Sequence, residues 1–247
     1  MRSAWAPWRT PEGRTGFVCG RFARWSPVEK VASCFGAVVQ EGLSESSELQ
    51  TGTNIFPFGP PVLGLFSSEI SFEKGRMAGP FGWGVVLGSP QSRPVRLINA
   101  RAETIASKLT WREAFAHSRV IVPADGFYEW PPRPSDESAR AHARRSPWLF
   151  RPREGELLAM GAVCLETTEP TGTRATQGSL VIVTTSANKE VASIHDRMPL
   201  LIAQEDLDVW LDTETTSLSK VVELLRPAPE GLLFKEKFSP GAPAPAG

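Results

Sequence analysis

The run Ser179-Leu180-Val181-Ile182-Val183-Thr184-Thr185 does most to limit the folds open to this chain. It is short, continuous, rich in β-branched residues and flanked by hydroxyl side chains, a pattern that predicts a buried strand. Arg119-Val120-Ile121-Val122-Pro123 repeats the type, and Phe81-Gly82-Trp83-Gly84-Val85-Val86-Leu87 reads as a third buried strand. Ala124-Asp125-Gly126 then predicts a turn into another strand, Phe127-Tyr128-Glu129-Trp130. Trp148-Leu149-Phe150 and Leu157 to Leu165 read as a hairpin pair. Residues 54–66, with their prolines, read as an extended segment and edge strand.

The helices are short by comparison. Ser26-Pro27 predicts an N-cap and first helical position for a helix reaching Phe35. Further helical stretches are expected over Trp111 to His117, Asn188 to Ile194, Glu205 to Leu211 and Leu218 to Leu225. Residues 40–53, 131–147 and 167–178 are polar loops, and Asp196 to Ile202 re-enters strand. There is no internal repeat and no domain linker. The expected fold is therefore α+β: one compact, β-rich domain over residues 19–238 with short peripheral helices. An extension, residues 1–18, precedes it, and a Pro/Ala/Gly-rich tail, 239–247, is expected to be disordered.

Composition excludes several function classes. The 247 residues supply ample core, and 41% apolar with 22% charged content is ordinary for a soluble protein. No run approaches the roughly 18 apolar residues of a membrane span. The first 18 residues lack the apolar centre of a secretory signal, so the cytoplasm is the expected location. Three cysteines, Cys19, Cys34 and Cys164, are too few and scattered for a disulfide framework or zinc site, and no cofactor is expected. Setting Arg2, Arg9, Arg14 and Glu12 aside from the 27 basic and 27 acidic residues leaves 24 and 26 from Cys19 onward. Any nucleic-acid site must then be a local arginine patch rather than a product of bulk charge.

Three places hold groups suited to chemistry. His195, in Ser193-Ile194-His195-Asp196-Arg197-Met198-Pro199, is an imidazole between a carboxylate and a guanidinium, fit for acid/base work or only for a helix end. Glu129 lies among bulky aromatics, which would desolvate it and raise its pKa; simple alternation would instead turn it to water, with Tyr128 and Trp130 inward. Asn99, Arg101 and Glu103 fall at every second position and, in an extended chain, would share one face able to hold a phosphate. No nucleophile elbow, phosphate loop or H-E-x-x-H helix is present.

Taken in order, Cys19-Gly20-Arg21-Phe22, Asn99-Ala100-Arg101-Ala102-Glu103-Thr104, Pro123 to Trp130 and Ile194 to Pro199 resemble the SOS-response-associated peptidase (SRAP) family of abasic-site processing proteins. The resemblance implies a partner, single-stranded DNA containing abasic sites, and a covalent crosslink made through an N-terminal cysteine. It matches Cys19 to the nucleophile, Asn99 to the active-site amide, Glu129 to the acid/base carboxylate and His195 to the active-site histidine. Arg101 takes the place of the phosphate-holding arginine, Arg21 and Arg197 add phosphate contacts, and Trp83 either stacks a base or fills core. A monomer is expected. Two segments depart from the family pattern: Asn54-Ile55-Phe56-Pro57-Phe58-Gly59, and Trp83 to Gly88 without its second tryptophan.

An N-terminal cysteine offers an amine and a thiol together, which convert an aldehyde to an imine and then to a five-membered thiazolidine. Here Val18 precedes Cys19, and a valine codon, GTG, also serves as a start decoded as methionine. Residues 1–17 are thus expected to be a mis-called extension, or else a leader removed after Val18. Both versions place Cys19 first in the working protein, with self-removal of what precedes it. The alternative is a noncovalent single-stranded DNA-binding module whose chemistry is blocked.

Overall fold

The computed structural model describes residues 19–43, 49–70, 73–88, 93–132, 146–153, 157–165 and 177–239. Residues 1–18 and 240–247, and most of the loops expected at 131–147 and 167–178, lie outside the described residues.

The strands, in chain order, are β1 (Phe22–Arg24), β2 (Ala37–Val39), β3 (Gly52–Ile55), β4 (Val62–Ile70), β5 (Glu73–Trp83), β6 (Val85–Leu87), β7 (Val95–Leu97), β8 (Asn99–Arg101), β9 (Arg119–Ala124), β10 (Gly126–Glu129), β11 (Trp148–Pro152), β12 (Leu158–Leu165), β13 (Ser179–Ser186), β14 (Arg197–Pro199) and β15 (Leu233–Lys237). Between them lie α1 (Val28–Phe35), α2 (Ala102–Ile105), α3 (Arg112–His117), α4 (Lys189–Ala192), α5 (Leu207–Leu211) and α6 (Leu218–Glu223). The fold is the β-rich α+β domain expected, with short helices.

β13, the strand read most clearly from sequence, is the hub of the larger sheet. It pairs with β12 and β14, takes β8 in parallel, and meets the end of β5 through Ser179↔Gly82 and Leu180↔Trp83. Because β12, β9, β4 and β5 follow one another, that last pairing closes a ring and removes exposed edges along it. A second sheet, in the order β15-β11-β10-β1-β3, lies against the ring. One core fills the space between, where Phe22, Phe127 and Phe150 meet Val120, Val122, Met160 and Ile182. The opposite residues of the ring strands, Ile121, Val163, Val181 and Val183, join Val31, Phe35, Phe115 and Trp210 of the helices in another core. Strands buried on both faces cannot alternate apolar with polar residues, which is why their sequences run continuously apolar.

Several expectations are corrected. Residues 62–66 belong to β4, an interior strand between β5 and β9, because Pro57, Pro60 and Pro61 all precede it and cost its ladder no donor. β11 and β12 are not a hairpin: β11 lies between β10 and β15, where Phe127 stacks on Phe150 at 5.1 Å, and β12 lies between β9 and β13. Pro27, not Ser26, is the residue before α1, and the Ser26 hydroxyl instead donates to Asp125 Oδ1 at 2.6 Å. The strand expected over 81–87 breaks at Gly84, whose φ of +106° separates β5 from β6.

Candidate active site

The site begins where β1 pairs with β10. Phe22 lies opposite Phe127, so in an antiparallel pair the residues before Phe22 run past those after Phe127. Cys19 is thereby brought to Glu129 although 110 positions separate them, and the Cys19 backbone N–H donates to Glu129 Oε1 at 2.6 Å. Both residues are buried, Cys19 at 0% and Glu129 at 2% exposure. The alternation that would turn Glu129 to water fails because β10 is covered on both faces. Phe127 points into the core between the sheets, while Tyr128 and Leu149 pack with Phe238 on the other side.

Burial is the main force on these groups. It pushes the Glu129 carboxyl up to about 8, against the hydrogen bonds from the Cys19 and Trp130 backbones and with help from the Asp196 charge. It also pushes the Cys19 thiol well above its ordinary range, with the Glu129 charge adding to the effect. Cys19 has φ of +52°, in the left-handed region that residues with a Cβ avoid at a cost of roughly 1–2 kcal/mol.

Buried polar contacts fasten the segment that follows Cys19. Asp125 accepts from the Ser26 N–H at 2.9 Å as well as from its hydroxyl, and Arg24 donates to Ser26 O and Gln50 O, each at 2.9 Å. Gln50 in turn donates to Phe56 O and Pro60 O, tying down the proline-rich segment. Arg24, Gln50 and Asp125 were not among the site residues expected from the sequence, because their contacts here join segments distant in the chain.

His195 follows α4, whose first turn is capped by the Asn188 side chain accepting from Val191 N at 3.2 Å. Its Nδ1 accepts from the Arg197 backbone N–H at 3.1 Å and lies 3.0 Å from Asp196 Oδ1. Burial lowers its pKa, with the Asp196 charge opposing. The effect of Asp196 on Glu129 places this turn within electrostatic reach of the Cys19–Glu129 pair.

Asn99 and Arg101 enter on β8, held in parallel register on β13 by Ile182↔Asn99 and Thr184↔Arg101. The Asn99 amide lies 3.4 Å from Ile182 O, and its Oδ1 is buried without a hydrogen-bond partner among the described residues. Arg101 is exposed. The single face expected for Asn99, Arg101 and Glu103 does not form, because β8 ends at Arg101 and Glu103 lies in α2. Glu103 instead takes the Arg197 guanidinium in a two-pronged ion pair, Nη2 to Oε2 being 2.9 Å, while Nη2 also donates to Thr184 O at 2.6 Å.

The residues expected to meet DNA thus differ in character. Arg197 is already held by Glu103 and Thr184. Arg21 is 7% exposed, donates to Gly20 O at 3.0 Å and lies 5.3 Å over the Phe56 ring. Trp83 is 1% exposed, 5.1 Å from Phe22, with its indole N–H donating to Ile98 O at 3.2 Å, so it fills core and has no face for a base. No cluster of metal-ligating side chains occurs among the described residues. No helix there is long and apolar enough to cross a membrane.

Known proteins are similar to this chain in sequence or in fold. The abasic site processing protein YoqW of Bacillus subtilis is 26% identical over 212 residues, covering 85% of this chain and 87% of its own. Abasic site processing protein YedK of Escherichia coli is 28% identical over 197 residues, 80% of this chain and 81% of that one. The HMCES protein of Xenopus tropicalis is 26% identical over 172 residues, 62% of this chain and 50% of its length. A solved protein from Bacteroides thetaiotaomicron has the same fold, with a TM-score of 0.71 at 21% identity over 90% of this chain and 93% of its own. The model of the family described as SOS response associated peptidase (SRAP) matches residues 18–238, most of the chain, and the protein belongs to that family.

Proposed function

We propose that the protein processes abasic sites in single-stranded DNA, linking to them covalently as a thiazolidine through Cys19 once Cys19 is N-terminal. The observation that carries this reading is the 2.6 Å approach of the Cys19 nitrogen to a buried carboxyl with a pKa of about 8. The names of the relatives YoqW, YedK and HMCES, each an abasic site processing protein, support the same substrate.

An abasic sugar opens to an aldehyde. A free α-amine, ordinarily of pKa about 7.7–8.0, is partly neutral at physiological pH and attacks the aldehyde carbon. The resulting hydroxyl leaves as water to give the imine. The Cys19 sulfur then adds to the imine carbon, its proton passes to the nitrogen, and the five-membered ring closes. Glu129, one hydrogen bond from the nitrogen, takes the proton from the amine and returns it to the departing hydroxyl. His195 is the second proton carrier, Asn99 orients the amine, and Arg101, exposed on β8, neutralises a neighbouring phosphate.

Self-removal of what precedes Cys19 draws on the same groups. The sulfur takes over the acyl group from its own nitrogen, Glu129 gives its proton to the departing nitrogen and takes the thiol proton in exchange, and water then cleaves the thioester to a carboxylate and the free thiol. The left-handed φ of Cys19 favours this outcome. That torsion is defined by the carbonyl of the preceding residue and ceases to exist when Cys19 is first, so cleavage releases the strain.

The test incubates Cys19-first protein with a single-stranded oligonucleotide containing one abasic site, followed by denaturing electrophoresis. A shifted band that survives denaturation is expected, and Cys19→Ser should yield only a hydrolysable imine. A complex that salt reverses and denaturation destroys would instead favour a noncovalent binding module. A Cys19→Ser crosslink as durable as the parent's would exclude ring closure.

A further inference from the structure

β15 has the sequence Leu233-Phe234-Lys235-Glu236-Lys237, and its register on β11 sorts these charges by face. Glu236 lies opposite Leu149, on the side of Tyr128, and pairs with Arg151 at 3.6 Å. Lys237 lies opposite Trp148, and Trp148 lies opposite Glu129. Lys235 lies opposite Phe150, on the same side as Lys237, with its ammonium 5.5 Å over the Trp148 ring. A row perpendicular to the strands therefore runs from the buried Glu129 carboxyl through half-buried Trp148 to exposed Lys237, with Lys235 beside it. Two inter-strand spacings, about 10 Å, separate the ends of the row. Lys235 also donates to the Ser193 hydroxyl, two residues before His195, which places this basic end beside the other catalytic segment. Neither lysine has an ion-pair partner among the described residues, whereas the acidic residue between them is turned to the far face and neutralised there.

We propose that Trp148, Lys235 and Lys237 form a track that holds the nucleotides flanking the reacting abasic site, the indole stacking a base and the two ammoniums neutralising phosphates. This rests on the abasic-site reading above. Single strands are held by just this combination of a stacking ring and a positively charged groove. An abasic nucleotide has no base of its own to grip, so the strand must be held through its neighbours. The Glu129–Trp148–Lys237 row sets the distance between the reacting sugar and that grip.

The experiment measures binding of a labelled, undamaged oligothymidylate over a series of salt concentrations, and in parallel crosslinking of the same oligonucleotide carrying an abasic site. The Lys235→Ala/Lys237→Ala double variant should flatten the dependence of log affinity on log salt by about 1.4, roughly 0.7 for each phosphate no longer neutralised. Trp148→Ala should weaken binding about 5- to 150-fold, while Trp148→Phe, which keeps an aromatic face and guards against misfolding, should stay within a few-fold of the parent. Lys220→Ala, a substitution of an exposed lysine on α6, should leave the slope unchanged. A double variant with the parent's slope, or a parent that does not bind the undamaged strand, overturns the track. A parent that binds but never crosslinks overturns the chemistry instead, so the two failures are distinguishable.

Discussion

Arg197 serves residues on both sides of the site. Its backbone N–H fixes the Nδ1 lone pair of His195, and its guanidinium is held by Glu103 and Thr184 O. Glu103 therefore ties the turn carrying His195 to the segment carrying Asn99 and Arg101. Glu103→Gln should slow crosslinking at saturating DNA by about tenfold or more, since a shift of about 1 Å in a reacting group can cost about 100-fold. DNA affinity should not fall, because a guanidinium released from a carboxylate is free to meet phosphate. Glu103→Asp, which keeps the charge, should fall between the two. Single-turnover rates set beside equilibrium binding check this, and a parallel loss of both would leave Glu103 only a stabilising role. The Glu103 carboxyl itself titrates below its usual range, chiefly through the hydrogen bond with Arg197.

At the scale of elements, the pairing of β10 with β11 positions both Glu129 and Trp148, and Gly126 permits it. A Cβ at Gly126 would lie 2.7 Å from Phe150 O and 2.8 Å from Leu149 Cδ1, so a backbone atom would have to move. Gly126→Ala should destabilise the protein by about 1–3 kcal/mol, read from the urea midpoint, and should lower crosslinking further because β10 moves with Glu129. This glycine reads in the sequence as the end of an Asp-Gly turn. Its requirement is the approach of β11, a strand that the sequence suggested was paired with β12 instead. Local pattern found the two strands; which neighbours they took depended on distant partners with complementary faces.

For the molecule as a whole, Glu129 couples folding to pH. A carboxyl whose pKa rises from about 4.5 unfolded to about 8 folded binds its proton more tightly in the folded state. Stability from this group is fully present below about 4.5 and declines as pH rises through about 8, by an amount on the order of 4 kcal/mol. In protein retaining Val18, unfolding free energy should therefore fall from pH 5 to pH 8 more steeply than in Glu129→Gln. In Cys19-first protein an ammonium replaces the amide beside Glu129, favours its ionised form and should remove most of that difference. Urea titrations of the four proteins at the two pH values check this, and equal slopes in parent and Glu129→Gln would mean that Glu129 is not held protonated.

The sequence by itself determined the fold class and the buried strands. Short β-branched runs can be satisfied only as strands in a layered core, whereas Cys19, Asn99, Glu129 and His195 were singled out by the resemblance of their motifs to the family. Tertiary structure decided what those residues experience. Glu129 is desolvated because both faces of β10 are covered, which the alternation of Phe127-Tyr128-Glu129-Trp130 would not give. Trp83 became core, Arg197 was claimed by Glu103, and Lys235 and Lys237 came to share a face with Glu129 through two strand registers. Each of these depends on contacts between residues distant in the chain, whose energies local periodicity does not contain.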